Sequence, residues 1–440
     1  MPDNLGVTGK QLTPCPTSPN CVSSLAGEDK DHAIAPLTYS EPFAKARQRL
    51  LDTILSMKRT TIITKDERYI HAEFRSGLFR FVDPQSFLDD AGHIGLFSTQ
   101  VNFPQWRLLG AETLIKGTYH LDGDKLVVEG RLFDVVNRRL LTGRRYVGQA
   151  KDVRRMAHAF ADLVLKALTG EEGPFSSRIA YISNQTGDKE LWLMDVDGKR
   201  PLRLTNHRSI VLNPDFSPRG KEILFTSYRA NNPDLYRKEI YTGKEARLSY
   251  KPGLNIAGRM SPNGNEVALT LSKDGNPEIY LLSTSGRIRK RITDNWGIDS
   301  DPAWSPDGGS ITFVSNRQGN PHVFVADIFT GKTTRLTTRG KYNATPAWSP
   351  KGDRIAFTRQ ENGRFDIYTI KTDGTDERRL TFGPGNSEHP RWSPDGRFIV
   401  YSWDKDGNRA IYVMRADGTG SRRLTSLQSD CRHPAWSPRW

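Results

Sequence analysis

Asp195-Val-Asp-Gly198, Asp373-Gly374, Asp404-Lys-Asp-Gly407 and Asp417-Gly418 are the stretches that come nearest to cation-binding chemistry, because calcium loops set carboxylates close to a glycine. None has Gly at the sixth place and Glu at the twelfth, so they read as hairpin turns. Nucleophilic hydrolysis would ask for a Gly-x-Ser-x-Gly elbow, which is absent. The Gly-x-Gly-x-x-Gly, P-loop and His-Glu-x-x-His patterns are absent too, and the nine histidines are scattered singly. Cys15, Cys21 and Cys431 have no zinc-type spacing. Cys15 and Cys21, near prolines, can close a small disulfide loop in an oxidising compartment or stand as two thiols. No catalytic site and no cofactor is expected.

The formal charge of +14 would suit a polyanionic partner. Its distribution argues otherwise: Arg138-Arg139, Arg144-Arg145, Arg154-Arg155, Arg289-Lys290-Arg291, Arg378-Arg379 and Arg422-Arg423 are dispersed beside predicted strands and read as a solvated surface. A nucleic-acid or polyanion-binding role is the alternative, carried by charge alone. No run of 18 apolar residues is present, so no membrane-spanning helix is expected. Met1 to Gly9 lacks the basic and apolar regions of a secretory signal.

What must position any site is set by a repeat. Ser-Pro-x-Gly begins at Ser217, Ser261, Ser305, Ser349 and Ser393, and Ser437-Pro438 completes the series, every interval being 44 residues. That period fits a four-stranded propeller blade. The best copy predicts strands at Pro302–Ser305, Ile311–Ser315, His322–Asp327 and Thr333–Thr337, the first pair joined by Ser305-Pro306-Asp307-Gly308. Second strands at Ile179, Ile223, Val267, Ile311, Ile355 and Ile399 are offset from the first strands ending at the Ser-Pro positions. Ile179–Ser183 therefore lacks a first strand before it, Pro434–Ser437 lacks a second strand after it, and the two complete one shared blade. Phe216, Met260, Trp304, Trp348, Trp392 and Trp436 share one register and are expected to pack between blades. Polar loops converging on the central channel leave a cation there open.

Upstream, Lys151 to Leu168 carries apolar residues at helical spacing and stops at Thr169-Gly170. Thr113–Leu121, Lys125–Asp134 and Arg144–Gln149 read as strands, so a small α/β domain precedes the propeller, with Gly170–Pro174 as linker. The expected class is mainly β, a six-bladed β-propeller with a shared first and last blade, and the expected domains are 1–75, 76–170 and 171–440. Within the first of these, Tyr39–Met57 reads as helical and Thr60–Thr64 and Tyr69–Phe74 as strands.

Leu168-Thr-Gly-Glu-Glu-Gly-Pro-Phe-Ser-Ser-Arg-Ile-Ala-Tyr181, Asn102-Phe-Pro-Gln-Trp-Arg107, Arg131-Leu-Phe-Asp134 and the repeats ending in Pro434-Ala-Trp-Ser-Pro438 together resemble the TolB family, over about residues 76–440. The resemblance implies a periplasmic, non-enzymatic scaffold of the Tol-Pal envelope system that supports outer-membrane invagination at division and envelope integrity. It implies docking of the lipoprotein Pal on the propeller mouth, formed by loops from one blade's last strand to the next blade's first. Those loops are 250–257, 294–301, 340–345 and 382–389, and the expected contacts are Asn255, Ala257, Ser300, Asp301, Asn343, Glu388 and His389. The family's amino-terminal end engages TolA, a segment not identifiable here. Instead Leu12-Thr-Pro-Cys-Pro-Thr-Ser-Pro-Asn-Cys-Val-Ser-Ser24 resembles the start of an uncharacterised bacterial domain, up to about Phe81. The chain thus reads as a fusion of two shortened genes.

Overall fold

The computed structural model describes residues 96–439, together with the strand segments 7–8, 11–12, 60–65, 70–76 and 81–82. Thr60–Lys65 and Ile70–Ser76 pair antiparallel, close to the strands expected there. The helix expected at Tyr39–Met57 and the cysteines Cys15 and Cys21 lie outside the described residues. The chain divides into two compact units, Met1–Ala150 and Lys151–Trp440.

In the first unit three antiparallel strands, Thr113–Asp122, Lys125–Asp134 and Arg139–Gly148, form one sheet in chain order. The third begins earlier than the Arg144 expected from sequence. Gly143 lies opposite Arg131 in the ladder, so it is a close-packed strand residue where a loop was expected. A short helix, Phe103–Leu108, capped by the Asn102 side chain, brings Phe103 onto Phe133, Leu114 and Val135.

The second unit opens with the helix Val153–Thr169, ended by Gly170 in the left-handed conformation at φ 77°. The Asp162 carboxylate accepts hydrogen bonds from the backbone N–H of Phe175 (2.7 Å) and Ser176 (2.8 Å). Glu171 pairs with Arg397 at 2.9 Å and Lys351 at 3.3 Å. The segment after the helix is therefore tied to blade turns at several points.

Six four-stranded antiparallel sheets follow, each ordered from an inner strand outward. Inner strands are Val211–Phe216, Asn255–Met260, Asp299–Trp304, Tyr342–Trp348, Ser387–Trp392 and Cys431–Trp436. The Ser-Pro-x-Gly turn works the same way in four of its five copies, and in the fifth the Ser349 Oγ accepts from Lys351 N–H instead. In Ser305–Gly308 the serine carbonyl accepts from Gly308 N–H, the serine Oγ accepts from Ser310 N–H at 2.9 Å, and Gly308 takes φ 73°. Residues corresponding to Trp304 pack against the preceding blade: Met260 on Leu235 and Leu248, Trp392 on Ala347 and Ile367. The indole Nε1 of Trp304 and of Trp392 donates at 3.0 Å to the carbonyls of Arg259 and Ala347, one blade back.

The last blade is built from both ends of the repeat array. Cys431–Trp436 pairs with Arg178–Thr186, setting Trp436 opposite Ile179 and Cys431 opposite Ser183. Even the turn serine keeps its role: Ser437 Oγ accepts from Arg178 N–H at 2.8 Å, and Trp436 Nε1 donates to Ser177 Oγ at 2.7 Å.

Deleting residues 431–440 removes the inner strand and exposes the edge of Arg178–Thr186. The shortened chain is expected to lose its cooperative thermal transition, as followed by near-ultraviolet circular dichroism. Trp392→Ala, which empties an inter-blade position, is expected to cost about 3–5 kcal/mol in urea unfolding.

Candidate docking site at the propeller mouth

Every inner strand carries one bulge at the same place. Asn213, Ala257, Asp301, Thr345, His389 and His433 all take left-handed backbone, with φ from 47° to 59°. The pairing register slips at each of them. The following residue is Pro in five blades and Gly258 in the sixth, where a Cβ would lie 2.6 Å from Leu235 Cδ1. A β-branched residue such as Thr345 rarely adopts this backbone, and such strain is concentrated at functional sites. The six residues form a ring around the channel, and two places further on come Asp215, Arg259, Ala303, Ala347, Arg391 and Ala435.

A cavity of about 260 Å³ opens here, lined by residues including Asp301, Tyr342, Glu388, His389, Arg391 and His433. Asp301, Glu388 and His389, all expected from the sequence as contacts, thus share one cavity. Glu388 forms an ion pair with Arg409 at 2.6 Å. Ser300 is partly exposed beside them. Asn255, Ala257 and Asn343 are fully buried. Asn255 accepts from Ser249 Oγ (2.7 Å) and Lys251 N–H (2.8 Å) and donates to the carbonyls of Lys251 and Gly253. Asn343 donates to the Arg339 carbonyl and accepts from Arg359 Nε at 2.8 Å. Both asparagines therefore fix the shape of the mouth loops from beneath.

The base of five of the six loops is anchored by a recurring threonine, with Ser249 at the sixth position. Oγ1 of Thr205, Thr293, Thr337, Thr381 and Thr425 accepts from a third-strand N–H at 2.9–3.0 Å. In three blades the same hydroxyl donates to a carboxylate, that of Glu190, Glu278 or Asp366. Arg291 and Arg379 pair with Glu278 and Asp366, so the last members of two basic clusters brace blades and are not freely solvated.

The rim of the mouth carries side chains whose types alone do not mark them as contacts. Among the described residues, large apolar side chains are exposed on the mouth loops at Ile210, Tyr250, Trp296, Ile298, Tyr342 and Phe382. Trp296, 76% exposed, is the most open of them. Ile210, Leu254, Ile298 and Tyr342 stand 44 residues apart, an apolar series in loops where polar residues are the rule. Asn213, Thr345 and His433 were equally legible, as the positions 44-residue steps away from Ala257, Asp301 and His389.

Burial holds the His433 pKa down at about 3, and Arg391 and Arg432 push it in the same direction. His389 is depressed by burial first and then by His433 and Arg391. Neutral imidazoles that must stay neutral to fold contribute stability that is complete above pH 6.5 and is lost as pH falls toward about 3. Replacing both with Gln is expected to flatten the acid limb of the melting temperature against pH over that window. Burial raises the Asp301 pKa, so its ionised form is disfavoured in the fold. Asp301→Asn is expected to raise the melting temperature at pH 7 and to leave it unchanged at about pH 3, where the carboxyl is protonated in either state.

Among the described residues no group of three or more His, Cys, Asp or Glu is arranged to hold a metal ion, and no helix is long and apolar enough to cross a membrane. A family model for the TolB beta propeller domain matches residues 165–440, and one for the TolB amino-terminal domain matches 74–141. A third, for a protein family of unknown function (DUF1499), matches 11–94. The chain is similar to the Tol-Pal system protein TolB of Syntrophotalea carbinolica, 68% identical over 149 residues, or 34% of this chain and 35% of that protein. It is also similar to the protein of that description from Geobacter sulfurreducens, 49% identical over 129 residues, or 29% and 30% of the two chains. The matched segment thus spans about a third of the length of these curated relatives. The crystal structure of TolB from Acinetobacter baumannii superposes with a TM-score of 0.72 at 30% identity, covering 77% of this chain and 86% of that one. The repeat, the closed six-bladed ring and the matched propeller model together place this chain in the TolB family.

Proposed function

We propose that the chain is a non-enzymatic scaffold of the Tol-Pal envelope system that works in the periplasm and docks the lipoprotein Pal on the propeller mouth. Through that contact it supports outer-membrane invagination during division and envelope integrity. The observation that carries the reading is the ring of exposed apolar side chains around a polar cavity, because rigid aromatic anchors encircling a desolvated centre are what protein interfaces use as hot spots. Trp296 and Tyr342 supply contact area. Ser300, Asp301, Glu388 and His389 supply polar contacts. Asn255, Ala257 and Asn343 act by holding the loops and the ring in shape. The names of the relatives support the Tol-Pal assignment. Engagement of TolA by the amino-terminal end stays outside the proposal, because that segment is not recognisable in the sequence.

The test is calorimetric titration of the full chain with the soluble domain of Pal at physiological salt. Trp296→Ala is expected to weaken binding by about 30-fold or more, the range of a hot-spot truncation of at least about 2 kcal/mol. An Asp301→Arg, His389→Ala double variant is expected to abolish it. Raising the salt should change the affinity only modestly. Heat released by nucleic acid instead of Pal, with a steep loss in salt, would transfer the role to a polyanion.

A further inference from the structure

One corner of the channel holds polar groups that the protein itself leaves without counterparts. The Arg391 guanidinium donates from Nη1 to the adjacent Pro390 carbonyl at 2.8 Å, and no carboxylate of the described residues lies within ion-pair distance of it. Arg259, the other channel arginine, differs: Asp215 stands 3.8 Å away and the Pro214 carbonyl accepts at 3.3 Å. Beside Arg391 the rings of His389 and His433 meet edge to face with centroids 4.1 Å apart, and the Nδ1 atom of each is buried with no hydrogen-bond partner in the protein.

The charges that act on the two imidazoles have one sign, while Asp215 and Asp301 act on Arg391. Arg391, Arg409 and Arg432 act on both imidazoles, and Arg259 acts on His433 as well. Of the channel acids, Asp215 faces Arg259 and accepts from Met260 N–H at 3.2 Å, and Glu388 is engaged by Arg409. Asp301 also lines the cavity, and burial makes it reluctant to ionise. Confinement, and then the neighbouring Arg259, lower the Arg391 pKa to about 9; Asp215 and Asp301 offset part of that cost from a distance, and neither forms an ion pair with the guanidinium. A neutral imidazole protonated on Nδ1 is a hydrogen-bond donor, and a guanidinium presents a fork of donors suited to a carboxylate.

We propose that Arg391, His389 and His433 form a binding site for a single carboxylate that enters from the mouth past Tyr342. The cavity, about 260 Å³, has room for a side-chain-sized group. The carboxylate can come from an acidic side chain of a docked protein or from a free small acid, and the chemistry of recognition is the same. The site stands on the channel geometry and needs the docking reading only for the first of these sources.

The probe is acetate, titrated into the full chain at fixed ionic strength with a weakly coordinating salt as balance, read by melting temperature and by the histidine ring resonances. The expected result is a saturable rise in melting temperature with saturable shifts of the His389 and His433 signals. Arg391→Met should lose both responses while its acetate-free melting temperature equals or exceeds that of the unmodified chain, because a desolvated cation with no carboxylate in ion-pair contact has been removed. A linear, unsaturable response, or one retained by Arg391→Met, overturns the proposal. So does an Arg391→Met chain that melts lower without acetate, since the arginine is then structural. Should that variant fail to fold, His389→Gln and His433→Gln decide, each expected to weaken acetate binding at least tenfold, and an unchanged affinity in both overturns it. A final arm assigns the source: saturating acetate weakens Pal binding if the partner inserts the carboxylate and leaves it unchanged if the anion is free. If Pal does not bind at all, the docking reading fails and the acetate titration still decides the site.

Discussion

The bulge shared by all six inner strands is the constraint on which the mouth depends. Inserting an extra residue in left-handed backbone interrupts the ladder and bends the strand locally. It does so in Val211–Phe216 and at every 44-residue step afterwards, so six side chains of five types are brought to one level of the channel. Proline after five of the six bulges restricts the bulged residue further and withholds an N–H that the irregular ladder would leave unpaired. With the backbone so firmly specified, residue type at the ring is released from structural duty. Asn, Ala, Asp, Thr and His all occupy it, and the channel's chemistry can differ from blade to blade without altering the blades.

Much of this was legible from the repeat. The Ser-Pro-x-Gly interval fixed blade number, strand order and the sharing of the last blade, because the serine hydroxyl, the proline and the glycine each perform a local task that does not depend on tertiary context. The packing of Trp304 and Trp392 against the preceding blade followed from one aromatic per period. The site was less legible. Asn255 and Asn343 look like surface loop residues in sequence, yet both are buried, since a short polar side chain that satisfies loop carbonyls is indistinguishable by type from one that faces a partner. The exposed rim escaped because single apolar residues in loops are ordinary, and only alignment by 44 shows Ile210, Ile298 and Tyr342 to be one series. The arginine clusters were misjudged in part for a related reason: pairing of Arg291 with Glu278 across adjacent strands is a fact of register.

The mouth combines two kinds of surface that do different work. Outside, Trp296 and its neighbours on the rim offer apolar area with few degrees of freedom to lose. Inside, charged groups are confined where their ionisation is disfavoured, as the depressed imidazoles and the raised Asp301 indicate. A partner that covered the rim would exclude water from the channel and strengthen every electrostatic contact within it, which links affinity at the edge to selectivity at the centre.

Closure by Cys431–Trp436 has a consequence in time. Arg178–Thr186 is synthesised well before its partner strand, so some 250 residues of chain must be made before the ladder between them can form. Until then the array carries an unpaired strand edge, and the final blade is a non-local contact of the slowest kind to establish. Cys431–Trp436 therefore acts as a latch on the ring, and any chain released before that strand is made displays an adhesive edge in place of a finished propeller.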